Sequence, residues 1–323
     1  MKKFGPYIFI IAILFLFLFY IELETMVQRL RNITILIIIG FFVIYAFDFV
    51  VRSIRWKVLL NACGATTKLW YLWSLLHSVW LLNNLLPGRI GEIMRLKIVE
   101  EEFHADTGIT IGTIIVEHFL DFSVLIGFAG ISSYAVAGNF IANQTISVVL
   151  TGVVVFVGVL LFILILVLVA GHKLLYRLPF LSKNLRDRLF QVYLSLKDSL
   201  RVVIKHKTSF VLAILLSILL WIFETFTIFL ITRGIGLQVS YTICLLSSSV
   251  GYLTFAAPIT PGNIGTFELS TASLLSISPN VNLNDAMVVP LVDRALKMLY
   301  LVCLGVPLFL YHGFSISKSN PHQ

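Results

Sequence analysis

Of 323 residues, 59% are hydrophobic and only 12% charged, whereas a soluble domain runs about 45–50% apolar and about 25% charged. That balance excludes a water-soluble globular protein and leaves no part of the chain polar or large enough for a separate soluble domain. The formal net charge of +8 is concentrated between His172 and Lys207, where nine Lys or Arg stand against Asp187 and Asp198. Such a loop stays cytoplasmic and is drawn to an anionic inner-leaflet surface, a better account than nucleic acid.

Apolar segments fall at about 6–23, 33–51, 69–86, 108–138, 144–170, 208–232, 241–257 and 285–311. In hydrocarbon each must be helical, because every backbone polar group needs an internal partner. The fold class is therefore all-α and polytopic. The first segment follows Lys2 and Lys3; it is longer than a signal-peptide core and lacks a small-residue cleavage site, so it reads as an uncleaved span. Near the end of the second, Asp48 is spaced to pair with Arg52. The stretch 52–68, with Arg52, Arg55, Lys57 and Lys68, reads as a cytoplasmic loop, and 139–143, with no basic residue, as an external one.

Those sides require the third segment to return to the face it entered from, and the same counting makes the seventh re-entrant. The expected architecture is six full spans and two re-entrant broken helices, with both termini cytoplasmic. Each re-entrant piece ends in the same words: Pro87-Gly88-Arg89-Ile90-Gly91 followed by Glu92, and Pro261-Gly262-Asn263-Ile264-Gly265 with Glu268 three residues on. Proline and glycine stop and turn a helix, and irregular backbone at membrane depth survives only where it is buried or lines a cavity. The two motifs lie 174 residues apart, and Val116-Glu117-His118 and Val292-Asp293-Arg294 lie 176 apart. We read an internal duplication with the halves inverted: a first repeat at 1–170, a basic amphipathic linker at 171–207, and a second repeat core at 208–323. Broken helices meeting between inverted repeats are a transporter plan.

Ionisable groups inside spans are costly and usually functional. Glu117 and Asp121 share a face of the fourth segment one turn apart, and Asp293 lies at similar depth in the last. Asp293 can pair with Lys297, which leaves Arg294 to seek an anion. The competing account is helix glue, with Glu117 and Asp121 neutralised by Arg294, Lys297 or Arg89. Glu224 is a weaker candidate, near the outer end of its span. Helix N-termini after Gly88 and Gly262, with Arg89 and Arg95, offer what a phosphate needs, so an anionic lipid headgroup is the natural ligand. Cys63, Cys244 and Cys303 make neither a metal-ligand spacing nor a disulfide framework. Hydrolase, zinc-protease and P-loop signatures are missing, so no catalytic residue, metal or cofactor is expected. One enzymatic alternative is the Glu22-x-Glu24 pair, similar to the acidic pair of polyprenyl-phosphate-dependent membrane glycosyltransferases. Another is a non-transporting scaffold for such enzymes.

Taken together, Leu86 to Glu92 with Arg95, Glu117 with Asp121, and Pro258 to Gly265 with Glu268 resemble the flippase-like domain family, which also forms the transmembrane region of lysylphosphatidylglycerol synthases. The resemblance covers nearly the whole chain. It departs at His118, where an Arg commonly follows the Glu, and at Asn263, where Gly is usual. It implies a stand-alone member without the lipid-aminoacylating domain, translocating rather than synthesising a lipid. That lipid is either an anionic phospholipid or one linked to polyprenyl phosphate. The site residues then expected to touch it are Arg89, Arg95, Glu92, Glu117, Asp121, Glu268, Asp293 and Arg294, at the cell membrane.

Overall fold

The computed structural model describes residues 28–85, 90–103, 107–140, 205–256 and 263–319, with isolated positions between 155 and 202. Pro87, Gly88, Arg89, Pro261 and Gly262 lie outside them. So do the first and most of the fifth apolar segments, Glu22, Glu24 and most of the basic linker.

Among the described residues, eight α-helices form two quartets of matching design. The first is α1 (Ile35–Ala62), α2 (Leu69–Leu85), α3 (Ile90–Phe103) and α4 (Thr107–Phe140). The second is α5 (Lys207–Gly234), α6 (Tyr241–Leu253), α7 (Thr266–Leu275) and α8 (Leu283–Ser319). Each runs long, short, short, long, with the Pro-Gly motif between its short helices. No strand occurs among the described residues. The protein is an all-α, multi-pass membrane protein: α1, α5 and the stretch Thr110–Ala137 of α4 are long and apolar enough to cross a bilayer. At 28 residues, α1 is about 42 Å long at about 1.5 Å per residue. α8 is longer still, at 37 residues, but carries charges along its length.

The short helices are hairpins folded about the breaks. Gly91 on α3 packs so closely on α2 that an added Cβ would lie 2.2 Å from the Val79 carbonyl oxygen. Across the same break Asn83 donates to Glu92 (3.3 Å). In the second quartet Gly251 on α6 meets Thr271 and Phe267 of α7. After this break Asn263 holds φ +53° and Gly265 φ +87°; both fall in the left-handed region that Asn tolerates and Gly adopts freely. The departure from Gly at position 263 is therefore one the backbone accepts.

The quartets interlock reciprocally. α2 packs on α8 and α6 on α4, while the first helices, α1 and α5, pack on each other. Along that last pair Ile37 meets Gly234, Gly40 meets Leu230, Arg52 meets Glu224 and Arg55 meets Ser217. Partner numbers fall as α1 numbers rise, so these helices run antiparallel. Phe41, Phe49 and Trp56 of α1 and Leu220, Ile228 and Ile231 of α5 are fully buried in the same core. At its rim Arg29 makes a two-pronged ion pair with Asp285 at the start of α8 (2.8 Å each). That hydrogen bond, with the nearby carboxylate charge, raises the Arg29 pKa above its ordinary value.

One sequence expectation is overturned here. Arg52 and Arg55 are not loop residues: α1 continues without a Pro or Gly to Ala62, and both guanidinium groups are buried. Of the four basic residues that fixed the first cytoplasmic loop, only Lys57 and Lys68 remain outside the core.

Candidate functional site: a buried ion-pair network

Two linked clusters occupy the middle of the bundle. In the first, Arg55 of α1 pairs with Asp121 of α4, its second arm donating to Oδ2 at 3.1 Å. It also donates to Ser217 Oγ (2.9 Å) and lies 3.6 Å from Glu117 Oε1. Asp121 accepts a further bond from Trp221 Nε1 of α5 (3.0 Å). Arg95 of α3 pairs with Glu117, approaches Glu92 at 3.5 Å, and stacks 3.5 Å above the Trp56 ring. Two cations therefore face three carboxylates.

In the second cluster Arg52 Nε donates to Asp48 (2.6 Å) and Nη2 to Glu224 of α5 (2.8 Å). Lys297 of α8 reaches Glu224 (2.6 Å), Asp293 (2.8 Å) and the Tyr252 hydroxyl (2.6 Å). Tyr252 donates to Glu224 (2.8 Å) and Thr227 to Asp293 (3.1 Å). Again two cations face three carboxylates. Arg52 and Arg55, one turn apart on α1, connect the clusters, and the Arg52–Glu224 pair crosses from one quartet to the other.

A third pair stands beside the second break. Arg294 Nε lies 2.5 Å from Glu268 Oε1, with 28% of its side chain exposed, and Nη2 donates to the Asn263 carbonyl (3.4 Å). Glu268 has a second task, accepting from the Gly265 N–H (2.7 Å) to cap α7.

The predicted residues thus divide. Glu92, Arg95, Glu117 and Asp121 come together; Asp293 joins Lys297 as its spacing implied; Glu268 and Arg294 form their own pair; Arg89 lies outside the described residues. Three expectations need correction. Arg294 is not left for an anion by the Asp293–Lys297 pair, because Glu268, distant in sequence, reaches it. Neutralisation of Glu117 and Asp121 comes from Arg95 and Arg55, not from Arg294 or Lys297. Glu224 is no rim residue but the hub of the second cluster. Sequence reading put Arg55 in a loop and passed over Tyr252. The available signal was the unbroken helical spacing of Trp56, Leu59 and Leu60 beyond Arg52, which keeps Arg55 on a buried face.

Desolvating this many charges is costly unless each is paired. An arrangement of arginines paired with carboxylates can exchange one anion for another, since a phosphate offers guanidinium the same two-pronged geometry. Residues 7–305 match the family described as the lysylphosphatidylglycerol synthase TM region. The chain belongs to this family. Among similar family proteins, a UPF0104 membrane protein of Methanocaldococcus jannaschii is 22% identical over 244 residues, covering 75% of this chain and 98% of its own. A second from that organism is 24% identical over 331 residues, covering 97% and 95%. The glycosyltransferase AglD of Haloferax volcanii is 20% identical over 328 residues, covering 93% of this chain and 53% of its own. No solved structure matches the chain.

Proposed function

We propose that the protein moves an anionic lipid, a phospholipid or a polyprenyl-phosphate-linked one, between the leaflets of the cell membrane, and that it does so as a translocator rather than an enzyme. The path runs where two inverted repeats meet, 1–170 and 208–323, joined by the basic linker 171–207 on the cytoplasmic side. The observation that carries this reading is the set of membrane-embedded arginines each held by a carboxylate, with Arg294 partly accessible beside a helix break. In the empty state the carboxylates neutralise Arg95 and Arg294. An arriving phosphate takes their place, and a second exchange on the far side releases it. The antiparallel packing of α1 on α5 and the reciprocal packing of α2 on α8 and α6 on α4 suit a site that opens alternately to each leaflet.

The test is reconstitution in liposomes carrying headgroup-labelled phosphatidylglycerol or a labelled polyprenyl phosphate sugar, scoring leaflet exchange and sugar transfer together. Exchange without transfer is the expected result. Transfer that disappears in Glu24→Gln would favour a glycosyltransferase, the activity named for the Haloferax relative. Neither activity, with lipid or glycan enzymes retained through the basic linker, would favour a scaffold.

A further inference from the structure

The second cluster contains an odd charge. Asp48, Glu224 and Asp293 share Arg52 and Lys297, and the three carboxylates are buried to 5% exposure or less. Fully ionised, the group would carry one uncompensated negative charge in a low-dielectric interior, at a cost of several kcal/mol.

The hydrogen bonds say which carboxylate is in surplus. Glu224 receives Arg52, Lys297 and Tyr252. Asp293 receives Lys297 on one oxygen and Thr227 on the other. Asp48 receives only Arg52, on Oδ2, and its buried Oδ1 has no hydrogen-bond partner. The groups around it are Tyr45 and Arg52 on α1, Glu224 on α5, and Lys297 and Tyr300 on α8. From α2, His77 touches the Tyr300 hydroxyl (3.1 Å). A metal cation would need several oxygens around it, and no group of three His, Cys, Asp or Glu side chains among the described residues is arranged to hold one. The first cluster also has a third carboxylate, Glu92, whose Oε2 likewise lacks a hydrogen-bond partner, but 21% of that side chain is exposed and Arg95 lies 3.5 Å from the same oxygen.

We propose that Asp48 is a proton-binding site that couples a proton to the anionic lipid, an inference that rests on the translocation reading for its second half. The proton sits on Asp48 Oδ1. It makes the cluster neutral and lowers the cost of bringing a phosphate to Arg294, one turn from Lys297 on α8, so proton and lipid bind cooperatively.

Two measurements on the full chain in lipid nanodiscs and liposomes separate the halves of the proposal. Infrared difference spectra of protein with isotope-labelled aspartate should show a protonated carboxyl at neutral pH. That band should disappear in Asp48→Asn and persist in Asp285→Asn, whose carboxylate pairs with Arg29 outside the cluster. An amide replaces a protonated acid with little change of shape or charge, so Asp48→Asn is expected to fold at normal yield; its failure to fold would overturn the proposal. A band that is missing from the wild type, or that survives in Asp48→Asn, would also overturn it. In liposomes, exchange of labelled phosphatidylglycerol should quicken severalfold as pH is lowered from alkaline to neutral and follow an imposed proton gradient. Asp48→Asn should exchange at one rate across that pH range. Wild-type exchange indifferent to pH, or driven by a sodium gradient instead, would refute the coupling. The band with no exchange of any lipid would leave the proton site standing and refute the translocation reading instead.

Discussion

In the first helix quartet the long helix α1 carries Arg52 and Arg55, while α4 carries their kind of counter-charge in Glu117 and Asp121. The second quartet reverses the signs: α5 carries Glu224, and α8 answers with Lys297. The helices that follow the breaks are reversed as well, since α3 offers Arg95 to Glu117 and α7 offers Glu268 to Arg294. What the quartets share is therefore where helices meet, not which charge each brings. The opposite signs have a consequence across the junction. Two identical quartets would set cation against cation where α1 crosses α5, whereas here Arg52 meets Glu224.

The most severe way to break this relation is to empty the hub. Glu224→Ala strips acceptors from Arg52, Lys297 and Tyr252 at once, and removing one partner of a buried pair costs ~3–5 kcal/mol; folded yield and thermal unfolding in detergent should both collapse. Swapping signs within a quartet sharpens the comparison. Arg55→Asp with Asp121→Arg should recover ~0.5–3 kcal/mol of the sum of the single losses, a coupling read from a double-mutant cycle. The junction swap, Arg52→Glu with Glu224→Arg, should recover less, because Glu224 also holds Lys297.

The two hairpins differ in a smaller way. Gly91→Ala pushes a methyl group against a backbone carbonyl, while at Gly251 the nearest atom is the movable Thr271 hydroxyl. Overpacking costs ~1–3 kcal/mol, and melting curves should place Gly91→Ala at the upper end and Gly251→Ala at the lower. Gly127→Ala, which has nothing within 4 Å of its added Cβ, should be close to neutral. The smallest effect belongs to Lys97, whose ion pair with Glu101 is 3.7 Å long and largely exposed. Lys97→Ala should change stability by less than ~1 kcal/mol.

The sequence carried more of the architecture than of the site. Hydropathy exposed the long helices, and the repeated Pro-Gly-x-Ile-Gly words marked both hairpins. Pairs one turn apart, Asp48 with Arg52 and Asp293 with Lys297, were legible because helical spacing alone brings them together. The pairs that build the network were not. Arg55 with Asp121, Arg52 with Glu224 and Glu268 with Arg294 join residues 66, 172 and 26 positions apart; only packing decides them. Counting basic residues also misplaced Arg52 and Arg55 in a loop, because a buried arginine and a cytoplasmic one look the same in a one-dimensional count.

The central claim, that carboxylates hold arginines ready for an anionic headgroup, is tested most directly at Arg294 and Glu268. Leaflet exchange of headgroup-labelled phosphatidylglycerol should be compared in liposomes holding wild type, Arg294→Gln and Glu268→Gln, with folded yield measured for each. The glutamine at 268 keeps an oxygen for the Gly265 N–H. The account predicts that Arg294→Gln loses most exchange per folded molecule, beyond any loss of yield, whereas Glu268→Gln retains exchange per folded molecule despite a lower unfolding temperature. Exchange that survives in Arg294→Gln, or that falls equally in both variants in proportion to lost folding, would contradict it.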